Sequence, residues 1–113
     1  MSIKRGNMFL ASLDPVVGHE ISKTRPVIVV SNDIGNTYSG TVTVIPITSK
    51  NLEKIYPFEV YLPKTSTYLS KKSKGKADQI RTLDKTRLVK QVGRLSPELI
   101  VNLDKAIKVH LNL

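Results

Sequence analysis

Hydrophobic residues fall in short runs broken by turn-forming residues along most of this chain, and their spacing becomes helical only after Ser96. Asn7 to Leu13 mixes apolar and small residues and stops at Asp14-Pro15, which predicts a strand entering a loop. Pro26 to Asn32 is almost continuously apolar and β-branched, the composition of a strand buried on both faces. Asn32-Asp33-Ile34-Gly35-Asn36 supplies turn chemistry to end it. Thr41 to Ile47 alternates until Pro46, which cannot donate to a ladder and so predicts an edge or a bulge there; Thr48 and Ser49 follow at once. Between Pro57 and Leu62, Phe58, Val60 and Leu62 share one face of a half-buried strand and Glu59 and Tyr61 the other.

Lys64 to Lys76 is rich in Ser, Thr and Lys and nearly bare of apolar residues, so a long mobile loop is expected. Ala77 to Thr82 and Val89 to Leu95 read as two more strands around a turn or single helical turn at Leu83 to Arg87. The last segment is a helix. Ser96 suits the N-cap, Pro97 the first helical position and Glu98 the positive end of the helix dipole. Leu99, Ile100, Leu103, Ala106, Ile107 and Leu111 form the apolar stripe of that helix, with Asn102, Lys105 and Lys108 outward. Five or six short strands and a terminal helix predict a mainly β fold, a small curled antiparallel sheet or barrel that must close or be covered to hide its edges. No internal repeat or linker divides the 113 residues, so residues 1–113 are expected to form one domain.

Charge adds a partner class. Eighteen Lys and Arg oppose nine Asp and Glu, a net charge of +9. Ten of the basic residues and only two of the acidic ones lie between Lys64 and Arg94, a local excess that suits a polyanion. No run approaches the ~18 consecutive apolar residues of a membrane span, and no apolar signal-peptide core follows the first residues, so no membrane contact and a cytoplasmic location are expected. Without Cys there is no disulfide and no thiolate, and two distant His make a poor metal signature. The acids are scattered rather than paired for a metal-dependent nuclease, and Gly-x-Ser-x-Gly and Walker patterns are absent, so no metal and no cofactor are expected.

One arrangement does carry chemistry. Arg25 precedes Pro26 at the head of an apolar strand, where the proline holds it extended. A guanidinium held there is either a fork-shaped phosphate ligand or the salt-bridge partner of Glu20. RNA supplies its own nucleophile, the 2′-hydroxyl, so a protein that cleaves it needs only a base, an acid and positive charge. Arg25, Thr48, His19, Lys76 and Asp78 are able to fill those roles. Each has a structural alternative as well: His19 as a loop cap, Thr48 bonding its own backbone, Asp78 pairing with Lys76 or Arg81.

Arg5-Gly6-Asn7, Leu13-x-Pro15-x-x-Gly18-His19-Glu20, Arg25-Pro26-Val27, Val30-Ser31-Asn32-Asp33, Pro46-Ile47-Thr48-Ser49 and Asp78-Gln79-Ile80-Arg81-Thr82-Leu83-Asp84 stand in this order along the chain. Together they resemble the MazF/PemK/Kid toxins of bacterial toxin–antitoxin systems. The resemblance implies a homodimer of SH3-like barrels that cleaves single-stranded mRNA at a short sequence, without metal, leaving a 2′,3′-cyclic phosphate and a 5′-hydroxyl. It also implies a cognate antitoxin whose flexible acidic segment covers the RNA groove.

The MazF branch of that family places an Arg and a Thr in catalysis, falling on Arg25 and Thr48. The Kid branch implicates a loop His, an Arg and an Asp, falling on His19, Lys76 and Asp78, with Lys76 a departure that keeps the charge and loses the planar fork. Arg25 then stabilises the phosphorane or handles a proton, and Thr48 positions the phosphate. RNA contacts fall on Ser49, Lys50, Gln79 and Arg81, and Glu20 becomes a candidate orienter of Arg25. Two other function classes remain: a CcdB-like gyrase-binding toxin of similar fold, and a non-catalytic RNA-binding module, for which six aromatics and no Trp give a thin stacking surface.

Overall fold

The continuous apolar run after Arg25 lies inside the sheet, where both of its faces are covered. The computed structural model describes residues 2–113 and holds seven strands: β1 (Asn7–Ser12), β2 (Thr24–Val29), β3 (Thr41–Thr48), β4 (Glu59–Leu62), β5 (Ser73–Lys76), β6 (Arg81–Asp84) and β7 (Leu88–Arg94). Helix α1 (Asp33–Tyr38) joins β2 to β3 and helix α2 (Pro97–Leu111) ends the chain. The sheet is antiparallel throughout, in the order β4-β5-β3-β2-β1-β7, with β6 also on β3, and it curls without closing.

Two cores result. Met8, Ile28, Ile45, Ile47, Val60 and Leu62 face α2 through its buried Leu99, Leu103 and Ala106. Phe9, Val27, Val29, Val42, Val44 and Leu83 fill the inside of the curl. Ile28 thus points to one core and its neighbours Val27 and Val29 to the other, which explains the lack of polar residues in β2. The helix begins as its sequence predicts, with Ser96 Oγ accepting from Leu99 N–H. Leu111 departs from the expected stripe; it is exposed in the last turn.

Several expectations need correction. Pro46 does not mark an edge, since β3 is an interior strand and Pro46 is buried opposite Val27 of β2. Its other side explains the tolerance: β6 pairs with Thr41 to Val44 and β5 with Ile47 and Thr48, which leaves Ile45 and Pro46 in a gap without a ladder partner on that side. Asn32 to Asn36 is not a turn alone but the start of α1, which Asn32 caps through Oδ1 and the Gly35 N–H at 2.8 Å. Lys64 to Lys76 is not one long loop. It holds a 3-10 turn at Lys64–Ser66 and then β5, whose Ser73, Lys74 and Gly75 are buried. Ala77–Gln79 is a 3-10 turn rather than strand, and β6 starts at Arg81. Glu59 does not face outward with Tyr61; its side chain is buried.

Candidate active site

The loop of residues 13–23 leads into Arg25, and three side chains from the second half of the chain tie it down. Arg87 Nη1 donates to the carbonyls of Ser12 (3.2 Å) and Asp14 (2.6 Å), and Arg81 Nη1 to that of Leu13 (3.2 Å). The Gln79 side chain accepts from Ile21 N–H at 3.2 Å and donates to the His19 carbonyl at 3.3 Å. Glu20 Oε1 accepts from Val17 N–H at 2.7 Å, closing a turn within the loop. It makes no ion pair with Arg25, so its expected role as orienter is replaced by a backbone contact: Arg25 Nε donates to the Ser22 carbonyl at 2.7 Å.

Arg25 is therefore held at its Nε, while no described residue accepts from its two terminal nitrogens. It is half-buried at the start of β2 and lines a cleft of about 240 Å³ with Ser49, Ser70, Lys71 and Ser73. A neighbouring cleft shares Ser49, Ser70 and Lys71 and adds Leu52, Lys64 and Lys72, so a groove of basic and hydroxyl groups, with Ile47, Leu52 and Leu69 among them, runs away from the guanidinium. Thr48 stands beside this groove, not in its wall. The β2–β3 register pairs Val27 with Pro46; continued by two residues it sets Arg25 opposite Thr48. The Thr48 hydroxyl accepts from Lys50 N–H at 3.2 Å, the local bond that the sequence offers as its structural alternative, and it keeps its own proton for donation.

Lys76 and Asp78 lie in a different cleft, with Glu59, Lys74 and Tyr56. Lys76 Nζ is 3.0 Å from Glu59 Oε2 and 3.9 Å from Asp78 Oδ1, so two carboxylates already neutralise it. Glu59 is the centre of this group. Burial alone pushes its carboxyl up, but the Tyr56 N–H and the ammonium groups of Lys76 and Lys74 outweigh burial and hold it below the ordinary glutamate value of 4.5. His19 is exposed on the 13–23 loop and meets the Lys76–Asp78 region only through its carbonyl and Gln79.

The structure thus brings Arg25 and Ser49 into one cleft, with Thr48 and the exposed Lys50 on either side of Ser49 in the chain, and separates them from the Lys76–Asp78 pair. Gln79 and Arg81, expected to contact RNA, both bind the 13–23 loop. Sequence reasoning missed Glu59 and Lys74 altogether. The one available signal was Glu59, a lone carboxylate in the alternating strand pattern of residues 57–62; Lys74 stands in a polar stretch that gives none. Among the described residues no group of three or more His, Asp or Glu converges as a metal site would require, and no helix is long and apolar enough to cross a membrane.

Comparison with known proteins is consistent over nearly the whole chain. Residues 4–111 match the family model of the PemK-like, MazF-like toxins of type II toxin–antitoxin systems. The chain is 41% identical to endoribonuclease MazF9 of Mycobacterium tuberculosis over 116 aligned positions, covering 98% of each protein. The crystal structure of MazF from Deinococcus radiodurans superposes with a TM-score of 0.84 at 27% identity, covering 100% of this chain and 99% of that one. A MazE–MazF structure from the same organism superposes at 0.78 and 26% identity, covering 100% and 98%. The gyrase-binding alternative gains no support from these relatives.

Proposed function

Because the chain belongs to the PemK-like, MazF-like toxins of type II toxin–antitoxin systems, a family of endoribonucleases, we propose that it cuts single-stranded mRNA at a short sequence without a metal ion. The observation that supports this chemistry best is Arg25, anchored by Nε with its other nitrogens free at the mouth of a basic groove. The 2′-hydroxyl loses its proton and its oxygen bonds to the adjacent phosphorus; the bond to the 5′-oxygen breaks, and that oxygen takes up a proton. The products are a 2′,3′-cyclic phosphate and a 5′-hydroxyl.

Negative charge gathers on the non-bridging oxygens in between, and a guanidinium already fixed in place stabilises it without further ordering. Thr48 donates its hydroxyl proton to a phosphate oxygen and so sets the phosphate against Arg25. An arginine is a poor base at neutral pH, so proton transfer falls to another group: His19, exposed on the loop that leads into Arg25, has suitable chemistry, whereas Asp78 stands beside Lys76 in the separate cleft. Ser49 and Lys50 extend the RNA contact into the loop that follows β3. The 1–113 domain acts as a homodimer in the cytoplasm, where its substrate is, and the acidic flexible segment of a cognate antitoxin competes for the groove. A MazE–MazF assembly among the structural neighbours and the basic walls of the groove support that reading.

Single-stranded RNA incubated with the protein in excess EDTA is expected to be cut to fragments bearing 5′-hydroxyl ends. Replacing the 2′-hydroxyl at the cut position by hydrogen is expected to abolish cutting there. Cleavage of the deoxy substrate at that position would overturn the mechanism.

A further inference from the structure

Glu59 and Lys74 are the two charged residues that are buried among the described residues, their side chains 1% and 3% exposed. Removing two charges from water offsets most of their attraction, and an apolar pair of similar volume serves stability as well. What this pair does, and an apolar pair cannot, is bind backbone. Lys74 Nζ donates to the carbonyls of Asn51 at 2.8 Å and Lys54 at 3.3 Å, as well as to Glu59 Oε1 at 3.0 Å. Glu59 Oε1 also accepts from Tyr56 N–H at 3.0 Å, and the Glu59 N–H donates to the Tyr56 carbonyl at 2.8 Å.

These bonds reach three residues of the 49–58 loop, which has no strand or helix of its own. The root of the loop lies at the proposed site: Thr48 is the ladder partner of Lys74, and Ser49 lines the groove beside Arg25. We propose that the buried Glu59–Lys74 pair is a positioning latch that holds the 49–58 loop, and with it Ser49 and Lys50, in the conformation that receives RNA. Its functional half rests on the endoribonuclease reading; its structural half does not. Neither residue touches the reacting phosphate. With the latch open, the entropy of ordering the loop is lost during RNA binding instead of during folding, so binding weakens while the chemistry at Arg25 and Thr48 proceeds.

The test compares the full chain with the doubly neutral Glu59→Gln, Lys74→Met variant and with Lys74→Arg, which keeps the charge and the donors. In the neutral variant, amides of the 49–58 loop are expected to exchange with deuterium roughly tenfold faster while β1, β2 and β3 keep their protection. With a labelled RNA substrate, KM is expected to rise about fivefold or more with kcat within about threefold of the parent, and Lys74→Arg to lie near the parent in both measurements. Unchanged loop exchange would overturn the latch, and so would loss of protection throughout the chain, which would make the pair a part of the core. A loosened loop with unchanged KM would overturn its functional half. A parent protein that leaves RNA intact would instead overturn the endoribonuclease reading, and the exchange measurement would still decide the latch.

Discussion

Arg25 combines two things that a surface arginine lacks: one nitrogen bound to the Ser22 carbonyl, and a place in the wall of a cleft with Ser49, Ser70 and Lys71. The anchor fixes the plane of the guanidinium, so the remaining donors meet a phosphate as a pair rather than as a point charge. Arg25→Ala is expected to lower kcat by about 10²–10³-fold, the usual loss when a preorganised donor to a developing oxyanion is removed. Arg25→Lys should recover little of it, because an ammonium keeps the charge without the fork or the Ser22 anchor. Steady-state cleavage of labelled RNA, with thermal melting to confirm the fold, checks both; normal cutting by Arg25→Ala would remove Arg25 from the site, and normal cutting by Arg25→Lys would show that charge alone suffices there. The places of Arg25 at the start of β2 and Thr48 at the end of β3 were legible, because a proline one or two residues away and a change to polar residues mark each strand end locally. The loop contacts of Gln79 and Arg81 were not, because whether a polar side chain meets solvent or the carbonyl of a loop some sixty residues away depends on the fold. Glu59 and Lys74 failed for the same reason, since strict alternation sets Glu59 beside Tyr61 and says nothing of a lysine buried against it.

At the scale of elements, the Arg5-Gly6-Asn7 segment joins both ends of the chain to the sheet. Arg5 donates through Nε to the Val30 carbonyl at 2.8 Å and pairs with Asp104 of α2 at 2.7 Å. Gly6 donates to the Val29 carbonyl and accepts from Leu95 N–H, in a backbone conformation with φ of +90°. A side chain there is strained twice, by that φ and by the Ile100 Cδ1 atom, which lies 2.9 Å from where a Cβ would stand. Gly6→Ala is expected to cost about 1–3 kcal/mol, the range for a residue forced into a sparsely populated conformation. Chemical denaturation read by circular dichroism measures it, and a variant as stable as the parent would show that the α2 docking site adapts freely. Element type was legible wherever local signals agreed: the capped helix after Ser96 and the apolar β2 are both present. The misses are elements whose cause is distant. Helix α1 is six residues long and contains a glycine, so its existence rests on the cap by Asn32 and on Asn36, buried with its side chain bonded to Ser31. Strand β5 has the composition of a loop and is a strand because β3 and β4 flank it, with Gly75 small enough to sit 3.1–3.2 Å, as a hypothetical Cβ, from Val60 and Ile28.

The molecule as a whole carries +9, so its compact state already works against self-repulsion, and each carboxylate that is held ionised matters more to it than to a neutral protein. Asp33, held low by the Arg5 N–H and by Asn36, and Asp84, held low by Thr86, bond backbone at the surface. Glu59 alone among the three is buried, and it compensates both Lys74 and Lys76. A carboxyl whose pKa is lower in the folded than in the unfolded chain binds fewer protons when folded. Its contribution to stability is therefore complete above the unfolded value and is lost as pH falls through the folded one. For Glu59 that window opens at about the ordinary value of 4.5 and extends below it. Glu59→Gln removes the charge at every pH and leaves the Lys74 ammonium buried without its partner. Breaking such a pair on one side typically costs about 3–5 kcal/mol, and for a domain near this size that lowers Tm on the order of 10 °C. The difference in Tm between the parent and Glu59→Gln should accordingly be constant from neutral pH down to about 5 and shrink as the parent's own Glu59 takes up its proton. Melting curves at a series of pH values and fixed ionic strength measure this, with salt held constant because screening changes the repulsion of the basic face independently. A difference that stays the same down to pH 3 would mean that folding does not lower the Glu59 pKa, and a parent that gains on the variant as pH falls from neutral towards 4.5 would mean that its carboxyl is neutral in the folded protein.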